Sequence, residues 1–268
     1  MNRRGAENAE RVKESWFREN TILLELTQAR DFIADAQQQL DKLNYYMQLQ
    51  RGKSKSMTIT LDARNLRLKE VQKLLKLTEE LNDSFTSLLT LKNLTEFEHQ
   101  ELQFIRNVYH EYYSEDKISE GQIKFLFLAP LMKLAGFYQP SIKITLEENI
   151  ADIYVKDEDT NIKGRMDILS VSKTQESIVT TPFLILVIES KNSSFNALEG
   201  LPQLLTYAYK SLDNQTSVWG VTTNGMDYQF VYMQQGNPSV YQLLPKLDIT
   251  RSTSSIELLQ VLKSICQL

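Results

Sequence analysis

Cysteine and histidine are scarce in this chain of 268 residues, and their scarcity excludes several kinds of site. The single cysteine, Cys266, excludes a disulfide framework and a cysteine-rich zinc site. The two histidines, His99 and His110, fall on one predicted helix, where packing or surface exposure accounts for them. Neither residue type therefore indicates a metal or catalytic centre.

Long apolar runs and a surplus of basic residues are also missing. No apolar run reaches 18 residues and no signal-peptide pattern is present, so we expect no membrane segment and a cytoplasmic location. The formal net charge is −4, spread almost evenly along the chain. Because nucleic-acid-binding proteins usually carry a basic surplus, a surface that binds nucleic acid here must be local or assisted by a partner.

Residues 1–115 are predicted to form a helical region. Neither glycine nor proline occurs from Ala6 to Arg51, and apolar residues recur there at spacings of three and four. They are Ile22, Leu26, Ala29, Ile33, Ala36, Leu40, Leu43 and Met47. A second helical pattern, from Ile59 to Leu89, follows a basic turn at residues 51–56 that is either solvated or in contact with phosphate. We predict a long helical hairpin or coiled coil, whose remaining apolar surface can form a homodimer.

Two capping patterns surround the predicted domain boundary. Thr95 and Glu98 have the spacing of a capping box, so a helix is predicted from Thr95 to Tyr113. Ser119 is predicted to open the next helix, which carries the apolar residues 123–135 and ends at Gly136. The boundary falls between these helices, and residues 116–268 form the second predicted domain.

The second domain is organised around the apolar run Phe183–Ile188. Its length and β-branched residues predict a central strand that is buried on both faces. Because side chains alternate along a strand, Glu189 and Lys191 point to the same side where the strand leaves the core. A charged strand end that simply meets water is the alternative explanation.

The segments on either side of this run bring further polar residues towards it. The upstream run Gly164–Val171 is predicted to be its hairpin neighbour, which places Asp167 near Glu189. Downstream, Gln203 and Tyr207 are four residues apart and share one face of a predicted helix. A strand, the turn Asn224–Gly225, two further strands and a closing helix complete the predicted α/β domain.

The order Gly-x-x-Asp, Glu-x-Lys and Gln-x-x-x-Tyr resembles the PD-(D/E)XK nuclease superfamily, especially RecB-type nucleases and the nuclease domains of restriction-enzyme motor subunits. The resemblance covers roughly the C-terminal 150 residues. It implies a restriction-endonuclease-like fold of the α/β (α+β) class, with a mixed sheet flanked by helices. Asp167 follows Met166, where proline stands in much of the superfamily.

The resemblance also implies a role for each residue of the pattern. Asp167 and Glu189 correspond to ligands of Mg²⁺ or Mn²⁺, and Lys191 corresponds to the lysine beside the attacking water. Gln203 and Tyr207 correspond to residues that orient the site.

Glu120 has two possible roles. The helix after Ser119 resembles the opening helix of restriction-type nuclease domains, in which an acidic residue of the first turn reaches the metal, and this implies that Glu120 is a third ligand. An acidic residue in the first turn also complements the helix dipole without any metal. The sequence leaves both roles open.

These features lead to the expectation of a magnesium-dependent nuclease that hydrolyses DNA. Carboxylates hold hard divalent cations, which stabilise the charge that develops on a phosphodiester during hydrolysis. Three alternatives stay open. One is a structural cluster of Asp167, Glu189 and Lys191, and another is a nuclease fold without catalysis that binds DNA or assembles through the coiled coil. The third is a coiled-coil scaffold for a partner, in which the sheet domain has no role of its own. No Gly-x-x-x-x-Gly-Lys-Ser/Thr motif occurs, so translocation would need a motor chain, and a specificity chain is a further possible partner.

Overall fold

The computed structural model describes residues 58–149, 152–173 and 184–268, and Thr58–Leu268 forms one compact unit. Its centre is a seven-stranded sheet. From one edge to the other the strands are β2 (Leu77–Leu81), β10 (Ser239–Asp248), β9 (Asp227–Gln234), β8 (Ser217–Thr223), β7 (Leu184–Ser190), β6 (Arg165–Ser172) and β3 (Ile142–Asn149). The pairs β7–β8 and β2–β10 are parallel and the others are antiparallel, which confirms the predicted mixed sheet.

A second, three-stranded sheet and a set of helices surround the large sheet. The small sheet has the order β1 (Ile59–Asp62), β5 (Thr160–Lys163) and β4 (Ile153–Val155). The helices are α1 (Leu68–Leu75), α2 (Glu96–Glu115), α3 (Glu120–Gln122, the π-helical Ile123–Leu128 and Ala129–Ala135), α4 (Leu201–Ser211) and α5 (Ser252–Cys266). Short 3-10 helices cover Ala63–Asn65, Phe85–Ser87, Lys156–Glu158 and Ala197–Gly200.

Helices pack on both faces of the large sheet. One apolar core joins the sheet to α2, α3 and α5, and the other joins it to α1 and α4. Along β7, Leu186 and Ile188 enter the first core whereas Val187 enters the second. This alternation confirms the prediction of a central strand that is buried on both faces.

The local signals around the central strand are confirmed as well. Strand β6 is the antiparallel neighbour of β7, as the hairpin pattern predicted. The Thr95 hydroxyl accepts a hydrogen bond from the Glu98 N–H at the start of α2, and Ser119 caps α3 in the same way. Helix α3 ends at Gly136, whose φ of 99° lies in the left-handed region.

The predicted second helix of the hairpin, from Ile59 to Leu89, is wrong. The segment forms β1, α1, β2 and a 3-10 turn, and only Leu68–Leu75 is α-helical. Lys76 ends that helix with a left-handed φ of 51°. Strand β1 pairs with β5 and strand β2 with β10, so pairing with strands distant in sequence overrides the local helical spacing.

The N-terminal part of the prediction lies largely outside the described residues. This applies to the heptad pattern from Ile22 to Met47, to the homodimer attributed to it and to the basic turn at residues 51–56. Residues 58–115, which the sequence assigns to the helical region, share the compact unit of the sheet. Within the part of the chain that the structure describes, no helix has the length and apolar character needed to cross a membrane.

Candidate functional site

The candidate site lies where β6 and β7 separate. Their last pair is Ile168 with Ile188, and Asp167 and Glu189 are the next residues on the two strands. The Ser190 backbone N–H donates to Asp167 Oδ2 at 2.7 Å, and the Ser190 hydroxyl donates to the same oxygen at 2.8 Å. The pairing of β6 with β7 therefore places both predicted carboxylates at one end of the sheet, and Ser190 fixes the orientation of Asp167.

Asp167 also contacts helix α3 through a lysine. Lys124 Nζ donates to Asp167 Oδ1 at 2.8 Å and lies 2.9 Å from Glu120 Oε1. Lys124 belongs to the π-helical segment of α3, and π-helical turns are frequent at functional sites. Its ammonium therefore bridges two of the three predicted metal ligands.

A second chain of hydrogen bonds runs from β7 to α4. Lys191 Nζ donates to Glu189 Oε1 at 2.8 Å and to Gln203 Oε1 at 2.7 Å. Gln203 Nε2 then donates to the Tyr207 hydroxyl at 3.0 Å. Gln203 and Tyr207 thus share one face of α4, as their spacing predicted, and Gln203 holds the lysine in place.

Two glycines allow the elements to approach this closely. A Cβ at Gly200, just before α4, would lie 3.0 Å from Cγ of Glu189. A Cβ at Gly164, just before β6, would lie 2.8 Å from the ring of Tyr207. A side chain at either position would push α4 or β6 away from the residues that form the site.

The Glu189 carboxyl lies in surroundings that oppose its charge. Its side chain is 2% exposed, and Oε2 is buried with no hydrogen-bond partner. Burial, followed by the negative charge of Asp167, raises the pKa of Glu189 to about 8 against the opposing effect of Lys191. A nearby cation would satisfy Oε2 and favour the ionised form.

Two other groups of the site have raised pKa values. Burial opposes the charge on Lys124, but its hydrogen bonds with Asp167 and Glu120 outweigh burial and raise the pKa of the ammonium. Burial raises the pKa of Tyr207 to about 12, so its hydroxyl stays protonated. The Lys124 ammonium therefore stays charged beside Asp167 and Glu120.

These residues open onto a cleft of about 700 Å³, which we call the site cleft. It is lined by Glu120, Asp167, Glu189, Lys191 and Gln203. Arg64, Lys163 and Arg165, to which the sequence assigned no role, line it too, and each is ion-paired with an acidic residue. Cationic and acidic side chains therefore line one concave surface together.

The carboxylate oxygens of the site are compatible with binding of a divalent cation, although they are few. Mg²⁺ retains several waters and commonly binds one or two carboxylates together with substrate phosphate. Asp167 and Glu189 provide two carboxylates, and the unpartnered Glu189 Oε2 is a suitable ligand atom. No group of three or more His, Cys, Asp or Glu side chains is placed to hold a metal ion among the described residues. Glu120 is instead held by Lys124.

All six predicted site residues come together at this end of the sheet, but sequence reasoning missed two of their partners. Ser190 stands between Glu189 and Lys191 in the sequence, and its role depends on the position of β6. Lys124 lies four residues after Glu120, which is a weak signal of an ion pair on a helix. Its contact with Asp167 depends on how α3 packs.

Comparison of the sequence with models of known protein families and with curated proteins finds no match. The function must therefore be inferred from the chemistry of the site.

Proposed function

We propose that this protein is a metal-dependent nuclease that hydrolyses DNA phosphodiester bonds at the site cleft. The observation that supports the proposal most strongly is the buried, unpartnered Glu189 Oε2 beside Asp167 and Lys191. A buried carboxylate oxygen without a donor is costly, and a cation shared with Asp167 removes that cost. A purely structural salt bridge would leave this oxygen unexplained.

In this proposal Asp167 and Glu189 hold Mg²⁺ or Mn²⁺. When bound, the ion lowers the pKa of a water and stabilises charge on the phosphate oxygens. Ser190 keeps Asp167 Oδ2 in place through two hydrogen bonds. In the absence of the ion Lys124 holds the other oxygen, so the carboxylate already has a fixed orientation.

Lys191 is the residue proposed to act on the reacting atoms. A lysine ammonium has three donors, and two of them are directed at Glu189 and Gln203. The third can donate to a phosphate oxygen or to the attacking water. Tyr207 fixes the Gln203 amide, so Gln203 and Tyr207 position the lysine and do not themselves react.

The substrate and partners follow from the cleft and the resemblance. Arg64, Lys163 and Arg165 can pair with the phosphates on either side of the cleaved bond. The resemblance to DNA nucleases favours DNA as the substrate, in a restriction or repair setting and with a possible motor or specificity chain as partner. Glu120 is proposed to join the metal-bound state when Lys124 is displaced.

The proposal is tested by incubating the full chain with plasmid and linear DNA in Mg²⁺, Mn²⁺ or EDTA. We expect nicking or degradation with either metal and none in EDTA. Lys191→Ala should abolish cleavage, whereas Lys210→Ala should not, because Lys210 on α4 forms an exposed ion pair with Asp213 after the helix. Circular dichroism shows whether both variants are folded. Equal cleavage by the wild type and Lys191→Ala would exclude the proposed role of the lysine.

The alternative is a nuclease fold that binds or assembles without catalysis. It is favoured by one observation: Lys124 and Lys191 already contact one oxygen of Asp167 and one of Glu189. Titration with Mn²⁺ in a calorimeter separates the two functions, because a metal-dependent nuclease should give binding heat that Asp167→Ala removes. A module that no longer binds metal should give no such heat.

A further inference from the structure

An apolar pocket of about 710 Å³ lies beside the site cleft, between α3 and the edge strand β3. Its floor is buried and includes Met132, Phe137 and Ile168. Its rim carries Phe125 and Tyr138, which are 77% and 54% exposed. Its volume lies in the range of about 300 to 1,000 Å³ that is typical of sites for small organic ligands.

The apolar pocket and the site cleft meet at Asp167, which lines both of them. Lys124, the partner of Asp167, also lines the pocket. A phosphate held beside Asp167 would therefore place the rest of its nucleotide at the mouth of the pocket. The roles proposed for Asp167 and Lys124 do not require this apolar surface.

We propose that the apolar pocket receives an unpaired nucleobase next to the cleaved phosphate, so that the substrate is single-stranded or locally unpaired DNA. The inference deepens the nuclease function proposed above and depends on it for the position of the phosphate. Aromatic side chains bind single strands by stacking on base faces, and stacking tolerates any base sequence. In a duplex the base faces are covered by their neighbours, so a base must leave the stack to enter a pocket.

Four charged side chains line the pocket: the cationic Lys124 and Lys173 and the acidic Glu147 and Asp167. Lys124 lies at the end shared with the site cleft, and the exposed Lys173 also lines the pocket, where its Nζ donates to Pro140 O at 2.9 Å. Arg165, the ion-pair partner of Glu147, lines the adjoining site cleft. An apolar floor between cationic groups complements a base that is flanked by backbone phosphates.

The test compares Phe125→Ala with Phe104→Ala, which removes a 65% exposed phenylalanine on α2 that does not line the pocket. Because both side chains are exposed, neither change should unfold the protein. Cleavage is measured on a single strand, on the same strand with one abasic position and on the blunt duplex. We expect the wild type to cleave the intact single strand faster than the duplex. Phe125→Ala should lower kcat/KM for the single strand by about tenfold, because one aromatic ring that stacks on a base is lost.

Phe104→Ala should match the wild type on every substrate. The abasic position should slow cleavage at the adjacent bond by the wild type and have little effect with Phe125→Ala, because the stacking partner is then already missing. Equal rates on single strand and duplex, together with wild-type behaviour of Phe125→Ala, would overturn the inference while the nuclease function stands. No cleavage of any DNA by the wild type would count against the nuclease function itself.

A binding measurement separates the pocket from catalysis. Single-stranded DNA containing 2-aminopurine is titrated with the Lys191→Ala protein. We expect the protein to quench the 2-aminopurine fluorescence. The double variant Lys191→Ala, Phe125→Ala should not quench it. Absence of quenching, or quenching that does not depend on Phe125, overturns the inference. A wild type that is dimeric, together with a Phe125→Ala variant that is monomeric, would also overturn the inference, because a second copy of the chain would then occupy the pocket.

Discussion

Glu189 is the residue whose surroundings differ most from those of an ordinary carboxyl group. Its side chain is almost completely buried, and only one of its two oxygens has a hydrogen-bond partner. Burial and the neighbouring Asp167 favour the protonated form. Stability and metal binding should therefore both depend on this one proton.

In metal-free buffer, the free energy of unfolding should fall as the pH rises from about 5 to about 8. The pKa of Glu189 is raised from 4.5 to about 8, so within this window the folded protein retains a proton that the unfolded chain has released. Glu189→Gln should reduce this fall by more than about 1.4 kcal/mol, the equivalent of one pKa unit. Urea unfolding in EDTA at pH 5 and pH 8 measures this change in the free energy of unfolding.

The matched control is Glu101→Gln, which changes an exposed carboxylate on α2. It should leave the pH dependence unchanged. If Glu189→Gln shows the same dependence as the wild type, the Glu189 carboxyl is already ionised in the folded protein at neutral pH.

Lys124 should compete with a divalent cation for Asp167 and Glu120. Lys124→Met removes the ammonium that bridges them, so Mn²⁺ should bind at least tenfold more tightly, because a unit charge about 4 Å away contributes ~4 kcal/mol at an effective dielectric of 20. Calorimetric titration measures the affinity. Lys133→Met, at an exposed position of the same helix, is the control. Weaker or unchanged binding by Lys124→Met would show that the lysine supports the ion or has no influence on it.

The individual site residues could be predicted because each follows a local signal. Glu189 and Lys191 end an apolar strand, and Gln203 and Tyr207 share one face of a helix. Lys124 could not be found in this way, since it stands within the apolar run Ile-Lys-Phe-Leu-Phe-Leu at residues 123–128. Its role comes from the packing of α3 near the end of β6, which is a tertiary contact.

Among the secondary-structure elements, α4 depends most on close approach to the site. Gly200→Ala should destabilise the protein by about 1 to 3 kcal/mol, as overpacking usually does, because the new Cβ would lie 3.0 Å from Glu189 Cγ and 3.3 Å from Thr222 Cγ2. Mn²⁺ affinity should fall as well, since Glu189 has to shift. Thermal unfolding and metal titration measure the two effects.

Gly121→Ala is the control for this change. No atom lies within 4 Å of a Cβ at Gly121, which stands in the first turn of α3. The substitution should be neutral or stabilising, because alanine reduces the freedom of the unfolded chain. If the two alanine variants have equal stability and metal affinity, close packing at Gly200 does not position Glu189.

The capped helices α2 and α3 and the strands β6 and β7 could be predicted, whereas β5 and the elements from Ile59 to Leu89 could not. Thr95, Ser119 and Gly136 carry capping signals that act over a few residues. Strand β2 has no such signal, because only its pairing with β10 makes Leu77–Leu81 a strand. Its apolar residues and those of α1 together have the spacing expected for one face of a helix.

At the level of the whole molecule, charge limits how the protein can bind DNA. The chain has a net charge of −4, and the site cleft, which Asp62 and Asp152 also line, carries five acidic and four cationic side chains. Phosphate binding to the cleft should therefore depend on the metal, which adds two positive charges where the backbone must lie.

DNA affinity should consequently rise about tenfold or more when Ca²⁺ replaces EDTA, since each cationic charge at a phosphate contributes to binding. Fluorescence anisotropy with a labelled oligonucleotide at fixed ionic strength measures the change. A variant with both Asp167→Ala and Glu189→Ala should bind DNA equally with and without the cation. A wild type whose affinity is the same in Ca²⁺ and EDTA would place the DNA elsewhere on the surface.

The most direct measurement is anomalous diffraction from a crystal of the full chain soaked in Mn²⁺. We predict one strong peak between Asp167 and Oε2 of Glu189, with Lys191 still hydrogen-bonded to Gln203. The absence of a peak at saturating Mn²⁺, with both lysine ion pairs unchanged, would contradict a metal-dependent nuclease and identify the cluster as structural.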